Sequence, residues 1–394
     1  MTIAERWLLP DGMQDLLPSQ AHQLEQLRRR LIDGWHLSGY DYVVPPTAEF
    51  LESLLSGTSR DLDLQTFKII DPLSGRQMGI VSDLTQQIAR IDAHAYVSEG
   101  IARYCYAAPV LRTQPCGPLG LRHLMQAGCE LFGQNNTQAD AEVILLMLAS
   151  LLREGATNLT LDLGHVGIYH RLLKRAELNE LEVRQLHDML KRRAIPELQA
   201  WQQGRNAACQ ALAKLPSLVG GLEVLPKLES WLTEFPELAS CHKRLQQVLT
   251  AIAPQLSDDI QLHLDLAEIR GLSYHSGLVF SVFAANMGQP IAEGGRYDNT
   301  GEVYGRARPA TGFSIDIRAL ASLILPKNKQ QARVLAPQDD CPRLVELIAK
   351  LRAEQQVVLR TLDGSMQDAQ HTHQIIKVDN AWTVQAVAEV EENG

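Results

Sequence analysis

Tyr104-Cys-Tyr-Ala-Ala-Pro-Val-Leu-Arg-Thr-Gln-Pro-Cys-Gly-Pro-Leu-Gly-Leu-Arg-His-Leu-Met-Gln-Ala-Gly-Cys-Glu-Leu-Phe132 is the stretch on which the reading of the fold turns. Residues 104–111 carry two tyrosines and end on Val-Leu, the composition of a strand. Pro115-Cys-Gly-Pro-Leu-Gly120 then sets two prolines and two glycines within six residues, which neither helix nor ladder tolerates, so the chain turns there. His123 to Phe132 reads as the returning strand. Strand side chains alternate between faces, so Gln126 and Glu130, four apart, share one face, while Arg112 closes the first strand.

Working outward, the N-terminal side begins with a helix. Leu24, Leu27, Leu31 and Trp35 recur at spacings of three, four and four, Pro18 and Ser19 supply start signals, and Gly39 marks the stop. Tyr40–Val44 reads as a strand closed by Pro45-Pro46, suited to an edge, a dimer seam or an internal core position. Gln65–Ile70 and Gln77–Val81 flank Asp71-Pro-Leu-Ser-Gly75, a hairpin signal. Residues 84–97 and 139–154 read as helices, and Asn158–Leu163 alternates as a strand. From 165 to 258 strand signals vanish and prolines punctuate a Leu-, Ala- and Gln-rich run, a helical insertion. Strands return over Ile260–Leu266 and Tyr274–Phe283. After Pro326 a tail of 68 residues has a strand–helix–strand pattern over Arg333–Ala336, Pro342–Glu354 and Val357–Thr361.

Composition narrows the function classes. The 394 residues suit two or three domains and are 45% hydrophobic and 21% charged, enough for a substantial core. Thirty-seven Lys and Arg against forty-six Asp and Glu give net −9, which offers no general attraction to nucleic acid or anionic lipid. The longest apolar run, Val143 to Leu152 and interrupted only by Ser150, spans ten residues, short of the ~18 of a membrane-spanning helix. The start MTIAERWLLPDG lacks a long apolar core, so no secretory signal is expected, and the expected location is cytoplasmic. The six cysteines form no Cys-x-x-Cys pair and no zinc spacing; they read as reduced thiols, and no metal or cofactor is expected. Arg28–Arg30 and Lys191–Arg193, the dense basic clusters, lie on predicted helices and read as solvated faces.

The middle of the chain offers groups suited to a zwitterion. Asp83 and Thr85, just past a strand, place a carboxylate and a hydroxyl where both could meet an ammonium group. Arg112 and Arg270 bring guanidinium groups, which grip a carboxylate through two parallel hydrogen bonds. Gln126 and Glu130, with Tyr274 and His275 at the mouth of a strand, could hydrogen-bond a polar side chain. Spacing alone does not gather these residues into one site.

Ordered motifs do. Leu9-Pro-Asp-Gly-Met-Gln-Asp-Leu-Leu-Pro18 resembles the opening of the histidyl-tRNA synthetases, and Gly39-Tyr-Asp-Tyr-Val-Val-Pro-Pro-Thr-Ala-Glu49 resembles their motif 1, the dimer-forming segment. Ser82-Asp-Leu-Thr85 stands where that family holds the amino group of histidine. Val110–Gln114 through His123–Glu130 resembles motif 2, Ile269-Arg-Gly-Leu-Ser-Tyr-His275 a histidine-specific motif, and Gly294–Asp298 with Ala310–Asp316 motif 3. The resemblance covers residues 5–326. It implies an α+β fold, a class II aminoacyl-tRNA synthetase-like core over 1–326 with a mixed, mostly antiparallel sheet flanked by helices. The helical insertion near 165–258 and a small C-terminal α/β piece over 327–394 complete the expected organisation. It also implies histidine binding by Asp83, Thr85, Arg112, Gln126, Glu130, Arg270, Tyr274 and His275, although Asp83 shortens the usual Glu and His275 replaces a Tyr.

The nucleotide side departs from the family. Where motif 2 has Arg-x-Glu, this chain has Arg112-Thr113-Gln114. At the end of motif 3 the ATP-binding arginine aligns with Ala319, its preceding glutamate with Arg318, and Asp316 replaces a glycine of the nucleotide pocket. Loss of one preorganised group can cost ~10²–10³ in rate, and a carboxylate there sets a negative charge where ATP would lie. The tail has eight Lys/Arg against ten Asp/Glu, is shorter than an anticodon-reading domain, and shows no basic face for tRNA. This combination resembles the regulatory subunits of ATP phosphoribosyltransferase. That resemblance implies no catalysis by the chain itself, a homodimer through the motif 1 region, and assembly with the short-form catalytic subunit into a hetero-oligomer. It also implies histidine as the allosteric ligand in the first step of histidine biosynthesis, with no tRNA and no membrane as partner. A working histidyl-tRNA synthetase and a stand-alone amino-acid-binding paralogue stand as the alternatives.

Overall fold

The computed structural model describes residues 7–55, 60–269, 274–324, 333–362 and 371–387. The chain divides into two compact units, Met1–Leu325 and Pro326–Gly394.

The larger unit is built on a sheet of nine strands. In chain order its strands and those of a small side sheet are β1 (Asp41–Tyr42), β2 (Ala48–Phe50), β3 (Phe67–Ile70), β4 (Gln77–Ile80), β5 (Ala102–Cys116), β6 (Leu121–Phe132), β7 (Leu159–His165), β8 (Val219–Gly220), β9 (Ile260–Asp265), β10 (Leu278–Ala284), β11 (Ala292–Arg296) and β12 (Ala310–Asp316). The large sheet runs β1-β5-β6-β12-β11-β10-β7-β9-β8, and β2-β4-β3 form the side sheet. Only β1 with β5 and β7 with β9 pair in parallel; the other neighbours are antiparallel. Mixed and mostly antiparallel is what the motif order implied.

The long hairpin of β5 and β6 shows how sequence alternation sorts the core. Cys105, Ala107, Ala127, Cys129 and Leu131 face the main core, beneath helices Pro18–Leu37 and Thr137–Glu154. Tyr104, Tyr106, Val110, Leu124 and Phe132, of opposite parity, face a second cluster with Leu84 and Ile88. The first helix buries Leu24, Leu27, Leu31 and Trp35, as its spacing predicts, and the indole of Trp35 donates to Ser150 Oγ at 2.8 Å. Gly39, at φ +85°, ends it in the left-handed conformation. Within the insertion, helices run from Val166 to Ile252, with the two-residue strand β8 clipped onto β9. The arginines of both basic clusters are engaged by the chain's own acids: Arg28 and Arg29 with Glu25, Arg30 with Glu154, Arg192 with Asp188 and Glu197, Arg193 with Asp265.

Three elements depart from the sequence expectation. Strand β5 does not close at Arg112 but runs through Pro115 to Cys116, which pairs with Leu121, its ladder with β6 interrupted between Leu111 and Cys116. Residues 84–97 form helix only over Thr85–Arg90, then widen into a π turn over Ile91–Ala95, where buried Asp92 meets Arg308 at 2.7 Å. The strand expected from Tyr274 starts at Leu278, because Ser276 turns aside to bond Asp298 at 2.9 Å.

The smaller unit is a four-stranded sheet, β13 (Arg333–Ala336), β14 (Val357–Arg360), β15 (His373–Val378) and β16 (Ala381–Ala386), in the order β14-β13-β15-β16. One face is covered by helix Pro342–Ala353 through Leu344, Ile348 and Leu351.

Candidate functional site

Glu130 lies on the front face of β6, 1% exposed, within a wall of aromatic rings. The Tyr106 hydroxyl donates to its Oε1 at 3.0 Å and the Tyr297 hydroxyl to its Oε2. Tyr274 stacks on Tyr297 with ring centroids 5.0 Å apart, and His275 meets Tyr274 edge-on at 5.1 Å. Burial pushes the Glu130 carboxyl up to about 8, against the two tyrosine hydrogen bonds that favour the anion. Burial also raises the hydroxyls of Tyr106, Tyr274 and Tyr297, so these remain donors. Room for the carboxylate comes from a glycine: a Cβ on Gly312, on the neighbouring strand β12, would overlap the Glu130 side chain.

A second group of atoms is set on the Asp83–Thr85 turn at the end of β4. Asp83 Oδ1 accepts from the Thr85 N–H at 2.9 Å, and Gln126 Oε1 accepts from the Leu84 N–H at 2.9 Å, which pins the turn to β6. Arg112 donates from Nε to the Ser82 carbonyl at 3.0 Å and stands 3.8 Å from Asp83. Thr85 Oγ1 lies 3.4 Å from the Tyr106 hydroxyl, joining this turn to the Glu130 wall.

These groups border one cavity of about 690 Å³. Asp83, Thr85, Glu130, Tyr274 and His275 line it directly, whereas Arg112 and Gln126 bear on it through Asp83 and its turn. Arg270 falls outside the described residues. Sequence reasoning gave Tyr106 only as part of a strand, and Tyr297 and Gly312 only as parts of a motif, and assigned none of them to the site. Tyr106 shares the parity of Gln126 and Glu130 across the hairpin, a signal that becomes readable once the register Tyr106 with Gly128 is known. It also missed the far wall, where helices Val166–Ala176 and Glu180–Lys191 of the insertion contribute Tyr169, His170, Arg184 and His187.

Chemically, the arrangement suits a small zwitterion with a polar, proton-carrying side chain. Carboxylate and hydroxyl groups at Asp83 and Thr85 suit an ammonium group. Glu130, protonated below about 8, can share its proton with an imidazole, and the pair keeps the same total charge on whichever partner the proton rests.

At the end of β12 Asp316 takes a structural role that the sequence reading did not include. Asp316 does not simply point a charge into a nucleotide site: its Oδ1 accepts from the N–H groups of Arg318 and Ala319, at 3.0 and 3.3 Å, and caps helix Ile317–Leu323. Arg318 donates to the His123 carbonyl at 3.1 Å and to Gln14 Oε1 at 3.2 Å. Ala319 is wholly buried. Arg122 donates to the carbonyls of Arg112 and Asp11 and lies over the ring of Phe67. The cations of this flank hold the chain's own N-terminal loop.

The sheet order, the β5–β6 hairpin and the Glu130 pocket define a protein of the class II synthetase fold. A family profile described as Histidyl-tRNA synthetase matches residues 12–320, and one described as ATP phosphoribosyltransferase subunit HisZ C-terminal domain matches residues 331–385. Histidyl-tRNA synthetase from Nostoc sp. PCC 7120 shares the fold at TM-score 0.75 and 17% identity, covering 96% of this chain and 97% of that one. A protein described as ATP phosphoribosyltransferase regulatory subunit/histidyl-tRNA synthetase from Bacillus halodurans matches at TM-score 0.80 and 26% identity, covering 93% and 96%. ATP phosphoribosyltransferase regulatory subunits of Stutzerimonas stutzeri and Cellvibrio japonicus are 44% and 40% identical over 98% of this chain, and over 100% and 98% of their own lengths. The chain belongs to the family of ATP phosphoribosyltransferase regulatory subunits.

Proposed function

We propose that this chain is a regulatory subunit without catalysis of its own, which binds histidine in the Glu130 pocket and adjusts the short-form catalytic subunit of ATP phosphoribosyltransferase accordingly. One contrast carries the reading. The amino-acid side keeps carboxylates at Asp83 and Glu130 and a tyrosine at Tyr274, with His275 in place of a second Tyr, while by the resemblance Ala319 fills the position of the ATP-binding arginine, and Arg318 is engaged with His123 and Gln14. A receptor that lacks the nucleotide-activating groups suits a sensor. Regulation then follows from linkage: histidine favours the inhibited assembly by its differential affinity, and coupling of ~1–3 kcal/mol gives 5–150-fold shifts.

The proposed homodimer uses the motif 1 segment. Strand β1 is an edge of the large sheet, and Leu37, Tyr42 and Val44 around it are exposed apolar side chains. Tail composition gives no basic face for tRNA, and no helix among the described residues is long and apolar enough to cross a membrane.

The deciding experiment assays a short catalytic subunit with and without this protein while titrating histidine. Stimulation by the protein, reversed by histidine, is the expected result. Histidine-dependent ATP–pyrophosphate exchange by the protein alone would overturn the reading in favour of a working synthetase.

A further inference from the structure

Behind the pocket, on the opposite face of the sheet, lies a buried ion cluster whose members do not line the cavity. Asp140, fully buried on helix Thr137–Glu154, receives two guanidinium groups. Arg296 of β11 donates to its Oδ1 from Nε at 3.0 Å and from Nη2 at 2.7 Å. Arg244, on the insertion helix Ala239–Ile252, donates to its Oδ2 at 2.8 Å. Arg296 also holds Asp298 at 2.9 Å, and Asp298 accepts from the Ser276 hydroxyl at 2.9 Å. Ser276 is tied in turn to the Arg296 carbonyl through its N–H at 2.7 Å.

The sequence positions give this cluster its meaning. Tyr297 lies between Arg296 and Asp298, and Tyr274 and His275 immediately precede Ser276. Neighbouring strand residues point to opposite faces, so anchoring Arg296 behind the sheet sets where Tyr297 stands in front of it. Both halves of the aromatic wall around Glu130 are therefore hung from one back-face anchor. The outermost member of that anchor, Arg244, belongs to the insertion and does not line the cavity.

We infer that Arg244 is a positioning residue for the ligand pocket, holding Tyr297 and the Tyr274–His275 pair in place through Asp140 and Arg296. The inference rests on the reading that the pocket binds histidine. Its consequence is regulatory: displacement of helix Ala239–Ile252 weakens ligand binding, and by reciprocity the ligand resists that displacement.

The test compares Arg244→Gln and Arg244→Lys with Arg30→Gln. The last breaks another ion pair between an arginine and a buried acid, Arg30–Glu154 at 2.7 Å, at the other end of the same central helix. Histidine affinity is measured by calorimetry on the whole protein, and amide hydrogen exchange is followed without ligand over 276–283 and 294–298. Arg244→Gln is expected to weaken histidine about five- to tenfold and to deprotect both segments, with Arg244→Lys recovering part of each effect. Arg30→Gln is expected to lower the melting temperature but leave affinity and exchange at these segments unchanged. Unaltered affinity and exchange in Arg244→Gln would overturn the inference while leaving the histidine reading intact. Deprotection specific to Arg244→Gln in a wild-type background that binds no histidine would sustain the positioning role and overturn the histidine reading. Equal effects from Arg30→Gln would reduce Arg244 to a general structural role and overturn the inference.

Discussion

Replacing Glu130 with glutamine tests whether burial keeps a proton in the pocket. A carboxyl whose value rises on folding holds its proton in the native state over a range where the unfolded chain has released it. Stability on its account is therefore present at low pH and lost as pH rises from the unfolded value towards the folded one. With an ordinary value of 4.5 and a folded value of about 8, at about 1.4 kcal/mol per pH unit, the wild type loses about 3 kcal/mol between pH 5.5 and pH 8.5. Glutamine has the same shape, can still accept from a tyrosine hydroxyl, and does not titrate. Urea unfolding at several pH values across that window should show Glu130→Gln gaining about 3 kcal/mol relative to wild type. The comparison is a difference because other groups slope the other way. Buried His165, held down at about 3, favours the folded state more as pH climbs through the ordinary histidine range, and it cancels between the two proteins. Parallel stability profiles for the two proteins would refute the reasoning, since they would mean that Glu130 is solvated enough to ionise normally.

Arg270→Ala should abolish the calorimetric histidine signal if the resemblance assigns that arginine correctly; unchanged affinity would move the ligand elsewhere. Gly312→Ala forces a methyl group against the Glu130 carboxylate, so a loss of histidine binding of at least tenfold is expected, with destabilisation of about 1–3 kcal/mol in thermal unfolding. Arg318→Ala leaves the His123 carbonyl and Gln14 without their donor; thermal unfolding should register about 1–3 kcal/mol, and ATP–pyrophosphate exchange should remain absent. For the proposed homodimer, Val44→Lys on the exposed edge beside β1 should shift sedimentation from dimer towards monomer while leaving the far-ultraviolet spectrum unchanged.

Where local chemistry dominates, the sequence was legible. The Leu24–Trp35 stripe became a buried helix face, and the Pro/Gly loop separated two strands that pair over Ala102–Leu111 and His123–Phe132. The strand–helix–strand of the tail appeared as β13, helix Pro342–Ala353 and β14. Strands β15 and β16 went unread, although Asp379-Asn380, both at positive φ, is the turn that joins them. Strand β11 is invisible to periodicity because Gly294 and Gly295 take two of its five positions, and β12 carries Gly312 opposite Glu130. Those glycines answer to the close approach of strands and of Glu130, a tertiary demand.

By itself, then, the sequence determined the layered class II scaffold, the pairing of β5 with β6, and a set of polar residues fit for a zwitterion. Alternation, turn chemistry and motif order are local properties, and they survive without knowledge of distant contacts. Tertiary structure alone decided that Glu130 would be sealed among Tyr106 and Tyr297, where burial raises its carboxyl. It alone turned Asp316 onto a helix end, engaged Arg318 with the N-terminal loop, and brought insertion helices to the pocket's far wall. A residue's charge state and its partner depend on desolvation and on atoms contributed by segments up to hundreds of positions away, and no single stretch of sequence encodes those.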